Sequence, residues 1–139
     1  MMAFACESVA SDPGKPISFN HVLDGIEAPD FPVMSGRWFA VFCFYSPEEM
    51  TIGNCRVIIE HESGEPVAQT KVKDVTFTPD QPLSRNMVGF QGFAWPYPGW
   101  YTVKFLAERD TLLAVFPMLV QHAQTGDDAE EEEEDDGAE

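Results

Sequence analysis

Three histidines are the residues of this 139-residue chain best suited to metal binding or proton transfer. His61 lies between Glu60 and Glu62, but neighbours along a strand point to opposite faces, so these carboxylates cannot join His61 in one metal shell. Zinc needs three or four converging ligands, and no two histidines among His21, His61 and His122 have a matched spacing. We therefore expect ordinary surface histidines and no metal site.

Paired carboxylates offer a second route to acid–base chemistry. Glu60 and Glu62 share one face of a strand, and Asp24 and Glu27 lie near a strand end. Two carboxylates can act as acid and base across a sugar ring only inside a cleft that shifts their pKa values. The sequence indicates no such cleft, so we expect a solvated strand face.

Nucleophilic and cofactor-binding motifs are missing from the sequence. Ser8, Ser18 and Ser84 lack the context of a nucleophile elbow, and no histidine or aspartate stands at a spacing that suggests a triad. Gly89 and Gly92 lie within a strand-like segment and do not form a phosphate-binding loop. The sequence therefore predicts a non-enzymatic protein with no catalytic residue and no cofactor.

Four aromatic residues crowd one turn and could bind a ligand. Trp95, Tyr97, Trp100 and Tyr101 surround two prolines and a glycine. If Trp95, Tyr97 and Trp100 were exposed together, their flat faces would form a platform for a carbohydrate or a proline-rich peptide. The alternative is that these rings close one end of the hydrophobic core.

The three cysteines, Cys6, Cys43 and Cys55, are odd in number and have no CxxC spacing. This favours three reduced, buried thiols in a cytoplasmic protein over a disulfide framework. The first residues carry no basic n-region, and no later segment is long and apolar enough to span a membrane. The expected location is therefore the cytoplasm.

Strand-like segments recur along the chain, separated by Gly, Pro, Asn and Asp. In Tyr101 to Ala107, apolar side chains alternate with polar ones, as in a half-buried antiparallel strand, and only Leu106 breaks the pattern. The spacing predicts an all-β fold, an antiparallel two-sheet sandwich of immunoglobulin-like or similar type with roughly eight strands. Ser46, Pro47 and Glu49 match a helix start, so one short helical turn is expected near residues 47–52. The strand predictions are 3–9, 17–26, 38–45, 55–62, 67–77, 84–94 and the closing pair within 95–120. Three hairpins are expected, between 3–9 and 17–26, between 55–62 and 67–77, and within the closing pair.

The segment Trp38 to Tyr45 is apolar on both faces, although only one face of a sandwich strand meets the core. One face carries Trp38, Phe42 and Phe44, and these three residues are the candidate interaction surface. The unburied face needs cover from a loop, from the short helix, or from a partner or second copy of the chain. The sequence leaves these alternatives open.

The net charge of −16 divides unevenly along the chain. Residues 126–139 hold ten acidic residues and no basic one, whereas the remainder has a net charge of only −6. We expect a β-domain over residues 1–122 and a disordered acidic tail over residues 123–139. Without a basic stripe, binding to nucleic acid or to an anionic membrane is not expected, and a basic protein surface is the compatible partner for the tail.

Several short segments resemble an uncharacterised bacterial family of small cytoplasmic β-sandwich proteins. They are Phe4 to Val9, Asp12 to Lys15, Phe31-Pro32 and Pro98 to Tyr101. The resemblance implies a single domain without an assigned activity, and it carries no catalytic residue over.

These observations favour a protein-interaction or assembly module that contacts a partner protein or itself. The alternative is a small-ligand module built on the Trp95, Tyr97 and Trp100 cluster. The two differ in which apolar side chains they need exposed.

Overall fold

The computed structural model describes residues 2–10, residue 14 and residues 17–123. The prediction of an all-β fold is confirmed, since β-strands dominate this part of the chain and its one helical element is a single 3₁₀ turn, Glu108–Asp110. The strands are β1 (Met2–Ala10), β2 (Ser18–Leu23), β3 (Gly25–Ala28), β4 (Val33–Met34), β5 (Trp38–Tyr45), β6 (Met50–Ile52), β7 (Arg56–His61), β8 (Pro66–Lys71), β9 (Val75–Phe77), β10 (Leu83–Phe90), β11 (Ala94–Trp95), β12 (Gly99–Ala107) and β13 (Thr111–His122).

Two larger sheets enclose one core. The four-stranded sheet has the order β10-β5-β1-β2, and the five-stranded sheet has the order β3-β13-β12-β7-β8. Between them, the ring of Phe42 from β5 lies with its centroid 5.0 Å from that of Phe105 and 5.8 Å from that of Phe116. Two small sheets, β4 with β11 and β6 with β9, complete the described structure.

The hairpins expected between neighbouring segments are present. Antiparallel pairs form between β1 and β2, between β7 and β8, and between β12 and β13. In β12, Tyr101, Val103 and Phe105 are buried as the alternation requires, and the break at Leu106 coincides with a register shift after Phe105. The extra residue of this bulge is Leu113 on β13, so the alternation of β12 continues. Phe105 and Ala107 both lie in the main core, and Leu106 is buried on the opposite face of the strand.

One strand pair departs from the expected antiparallel arrangement. β3 pairs in parallel with the end of β13. Only Asp24 separates β2 from β3, so the chain passes from one sheet to the other without reversing direction. The approach is close, because a Cβ on Gly25 would lie 2.6 Å from the backbone oxygen of Leu119. Only glycine fits this position.

The prediction of a helical turn near residues 47–52 is wrong. The Ser46 hydroxyl does accept a hydrogen bond from the Glu48 N–H, as a helix cap would, at 3.1 Å. The chain then extends instead of coiling, and Met50–Ile52 forms a ladder with Val75–Phe77. Pairing with a distant strand therefore overrides the local capping signal.

The described residues form thirteen strands where about eight were expected, because several predicted segments are each divided into two and short strands of two to four residues occur between them. Within the predicted turn Asp12 to Lys15, only Gly14 is described. The tail prediction, apart from Ala123, also lies outside the described residues. Among the residues that are described, no helix has the length and hydrophobicity that a membrane crossing requires.

Candidate functional site

The candidate interaction surface predicted from the sequence is not exposed. Trp38, Phe42 and Phe44 are all buried in the core between the two larger sheets. This corrects the prediction, because side chains enclosed by the fold cannot contact a partner. The physical reason is that the five-stranded sheet packs on this face of β5.

The opposite face of β5 is covered by the chain itself. Val41 and Cys43 form a second buried cluster with Cys6, and Phe39 packs against it. Val9 and Phe19, from the far end of the β1/β2 hairpin, also pack on this cluster. The hairpin therefore supplies cover that the sequence had left to a loop, a helix or a partner.

The hairpin leaves part of this outer face uncovered. Met2, Tyr45, Leu83 and Met87 are exposed by 50%, 64%, 44% and 40%. They lie on adjacent strands, because Leu83 is opposite Tyr45 and Met2 is opposite Cys43. We call these four residues the outer-face patch. The sequence did not single them out, because it does not show which face of β5 the second sheet covers.

The predicted aromatic platform is divided by the fold. Trp95 is fully buried, with its ring stacked 5.7 Å from that of Trp38. Tyr97 and Trp100 are exposed by 44% and 50%. Within the described chain, the indole of Trp100 has no ring contact with Tyr97. The three residues therefore do not form one platform.

Trp100 instead lines a groove of about 500 Å³ on the outer face of the five-stranded sheet. Ile26, Pro117 and Leu119 provide its other apolar walls, and polar groups come from Asp24, Glu27 and Gln121. The amide of Gln121 lies 3.4 Å from Oε2 of Glu27, which holds this carboxylate at the rim. The groove combines one flat aromatic face with several hydrogen-bonding groups.

The turn before β12 is fixed by the Tyr101 hydroxyl. This hydroxyl donates to the backbone oxygen of Tyr97 at 2.6 Å and accepts from the N–H of the same residue at 3.1 Å. Burial raises the pKa of the Tyr101 phenol, partly offset by the hydrogen bond to Tyr97. Tyr101 thus anchors the turn and is not available to a ligand.

His61 also stabilises this turn. Its Nδ1 accepts the Ser63 N–H at 3.2 Å, so Nε2 carries the proton and donates to the oxygen of Pro98 at 3.0 Å. The Ser63 hydroxyl lies 3.0 Å from Nδ1. However, the other ring nitrogen bonds a carbonyl and not an orienting carboxylate, so this is no Ser-His-Asp arrangement.

The carboxylates that were candidates for acid–base chemistry are separated. Glu60 forms an ion pair with Lys104 at 2.8 Å, whereas Oε1 of Glu62 accepts the backbone N–H of Trp100 at 3.2 Å. Across residues 2–10, 14 and 17–123, no three His, Cys, Asp or Glu side chains converge as metal ligands would.

The three cysteines are buried free thiols. Burial removes water from each thiol and disfavours the charged thiolate, so the pKa of each thiol is raised above its ordinary value. Cys6 and Cys43 belong to the cluster behind the outer-face patch, and Cys55 lies in the main core.

Comparison with known proteins identifies a family but no activity. The model of DUF6941, a family of unknown function, matches residues 1–121, which agrees with the expectation of an uncharacterised family. No curated protein matches the chain. A solved structure of Pseudomonas fluorescens alkylpurine DNA glycosylase AlkC, bound to DNA containing an abasic site analog, is similar at 13% identity with a TM-score of 0.48. The match covers 70% of this chain and 27% of that one, so this chain spans about a quarter of that protein's length.

Proposed function

The chain belongs to DUF6941, a family of unknown function, and we propose that it is a non-enzymatic protein-interaction module of the bacterial cytoplasm. The outer-face patch is its contact surface, on an immunoglobulin-like sandwich scaffold. The observation that supports this proposal most directly is the exposure of Met2, Tyr45, Leu83 and Met87 on neighbouring strands. Monomeric proteins seldom leave such side chains grouped in solvent without a function.

The partner is a different protein with an apolar contact area and basic residues around it. The chain carries a net charge of −16, so two copies repel each other, whereas a basic surface is attracted. A second copy is therefore the less favoured occupant of the patch.

The test uses the full chain as bait, with a patch variant and a matched control. Tyr45→Asp with Leu83→Asp places two charges on the patch, and Leu112→Asp changes an equally exposed apolar residue on β13. The proposal predicts a captured protein that is lost with the patch variant and retained with Leu112→Asp. The same pattern must recur with the purified partner.

Two outcomes contradict this proposal. One is that every captured protein binds the patch variant and the control equally. The other is a concentration-dependent dimer of the native chain that the patch variant abolishes, which would assign the patch to a second copy.

A second function is supported by the groove at Trp100. A half-exposed indole beside Asp24, Glu27 and Gln121 has the composition of a small-ligand site, for a carbohydrate or a peptide. Trp38 and Trp95 are buried, so Trp100 is the tryptophan whose fluorescence responds to a ligand in solvent.

The test is a titration of the full chain with oligosaccharides and proline-rich peptides while tryptophan emission is recorded. A ligand of this groove gives a saturable change that disappears in Trp100→Ala. An unchanged spectrum with all of these probes at millimolar concentration would reject the ligand function.

A further inference from the structure

Three cations gather in one groove of an otherwise acidic protein. The groove has a volume of about 650 Å³ and lies between residues 71–73, where β8 ends, and the strand β10. Lys71, Lys73 and Arg85 line it together with apolar side chains that include Val72 and Met87. No carboxylate of the described residues lines it, although the chain has 24 acidic and only 8 basic residues. We call it the cationic groove.

One wall of this groove is an exposed strand edge. Among the strands that the structure describes, β10 stands at the edge of its sheet and pairs only with β5. Ser46 N–H donates to the oxygen of Pro82. In the register that this bond sets, the backbone N–H and C=O groups of the even-numbered residues of β10 point towards β5. The backbone groups of Leu83, Arg85, Met87 and Gly89 therefore point away from the sheet. Within the described chain, no other backbone group is hydrogen-bonded to them.

This combination suits an extended acidic segment. An added strand would satisfy the backbone groups at the edge of β10, and its carboxylates would meet the three cations. Edge strands of natural proteins are usually covered by another part of the chain or carry charged side chains. The one charged side chain of β10 is the cation Arg85.

We propose that the cationic groove binds the acidic segment Glu130–Asp136 of the same chain as an added strand beside β10. This is the most acidic stretch of the sequence, with five consecutive glutamates followed by two aspartates. The groove is separate from the Trp100 groove and shares only Met87 with the outer-face patch. Tyr45 and Leu83, which test the patch, do not line the groove, so failure of this proposal leaves the proposed partner of the patch unaffected.

The length of chain between β13 and the acidic segment is sufficient. Lys71 is opposite Arg56, Arg56 is opposite Leu106, and Leu106 is opposite Leu112, so Lys71 lies level with Leu112. Ten residues along β13 and three strands across the sheet place it about 36 Å from His122. The twelve residues from Ala123 to Glu134 span at most about 43 Å, so Glu134 can reach Lys71.

Attachment to the same chain also favours this occupant over a second copy. A tethered segment has an effective concentration near the millimolar range, whereas a second copy must approach against the repulsion of two acidic molecules. A basic partner of the tail would compete with the groove, so the groove would act as an internal store for the acidic segment.

The first test is carbodiimide cross-linking of the full chain, which joins a lysine amine to a nearby carboxylate as an amide with loss of water. Lys104 and Glu60, 2.8 Å apart, provide an internal positive control. The proposal predicts cross-links from Lys71 and Lys73 to the segment 130–136 in a product of monomer mass. It also predicts at least tenfold fewer such links in the variant with Glu130 to Glu134 changed to Gln, because the reactive groups and their attraction are removed.

The remaining cross-linking outcomes overturn the proposal. If the Lys104–Glu60 link forms and Lys71 and Lys73 give no link to the segment, the groove is not its site. If the links form only in a product of dimer mass, the occupant is the segment of a second copy.

Hydrogen exchange tests the added strand without relying on cross-linking chemistry. The amides of Arg85, Met87 and Gly89 should exchange about tenfold more slowly in the native chain than in Lys71→Glu with Lys73→Glu. Both lysines are exposed, so this variant keeps the fold, and the amides of Asn86 and Val88, which face β5, should be unchanged. Equal exchange of the three edge amides in both chains would show that no strand is added.

Discussion

At the residue scale, Gly99 shows how a single position holds the turn before β12. Its φ of +130° is one that side chains rarely adopt, and a Cβ there would lie 2.9 Å from Nε2 of His61 and 3.0 Å from Oε2 of Glu62. The sequence showed a Pro-Gly turn here. It did not show that His61 and Glu62 close around the glycine.

We expect Gly99→Ala to lower the free energy of unfolding by about 2 kcal/mol, because it combines backbone strain with two close contacts. Urea denaturation measures the change. Gly36→Ala is the matched control, since a Cβ at Gly36 meets no atom within 4 Å, and its effect should stay within about 0.5 kcal/mol. Equal stabilities of the two variants would contradict the role of His61 and Glu62.

Because the three thiols are buried, we expect the folded protein to lose stability at alkaline pH. Burial raises the pKa of Cys6, Cys43 and Cys55 in the folded state above the ordinary value of 9.0. Above that pH the unfolded chain loses thiol protons that the folded chain keeps, so the free energy of unfolding falls as the pH rises. Below it, the thiols contribute no pH dependence.

Urea denaturation at pH 7.5 and 9.5 measures this effect. The native chain should be less stable at pH 9.5, and the variant with all three cysteines changed to Ala should lose most of the difference. A difference of the same size in the variant would assign the pH dependence to other groups.

At the element scale, β5 shows why a strand that is apolar on both faces was difficult to interpret. Its bounds, 38–45, were predicted correctly, because eight consecutive apolar residues between Gly36 and Ser46 indicate a buried strand. The face of β5 that is buried was not predicted correctly, because side-chain alternation alone does not show which face meets the second sheet. The contact surface was therefore assigned to Trp38, Phe42 and Phe44, which are in the core.

Substitutions on the two faces of β5 should differ strongly in how much they lower the free energy of unfolding. Phe42→Ala removes a fully buried ring and should cost about 3 to 5 kcal/mol. Tyr45→Ser changes an exposed side chain of the patch and should cost less than about 0.5 kcal/mol. Thermal denaturation distinguishes them, and comparable losses would mean that the patch is covered in solution.

At the scale of the whole molecule, acidic and basic residues are concentrated in separate places. Residues 126–139 carry ten acidic residues, while three of the eight basic residues line the cationic groove. Electrostatic attraction of a basic ligand to such a chain acts over about 10 Å at 0.1 M salt. It should therefore depend on ionic strength and on the tail.

Binding of an octalysine peptide tests the contribution of the tail. We expect its Kd for the native chain to rise at least tenfold between about 0.05 and 0.5 M NaCl, because salt screens the attraction. Changing Glu130 to Glu134 to Gln should weaken binding at low salt and flatten this dependence. Fluorescence anisotropy of a labelled peptide provides the measurement, and identical titrations of both chains would exclude the tail as the basic-ligand site.

The sequence by itself determined the strand class, three hairpins and the segregation of acidic charge, because these follow from period-two patterning, short turns and composition. Tertiary structure decided the rest. The face of β5 that is buried, the parallel entry of β3 and the short strands depend on contacts between residues far apart in sequence. The cationic groove depends on them as well, since Lys71 ends the edge strand of one sheet, Lys73 follows it, and Arg85 lies on the edge strand of the other. No local pattern encodes such a meeting, because it exists only after the two sheets have packed together.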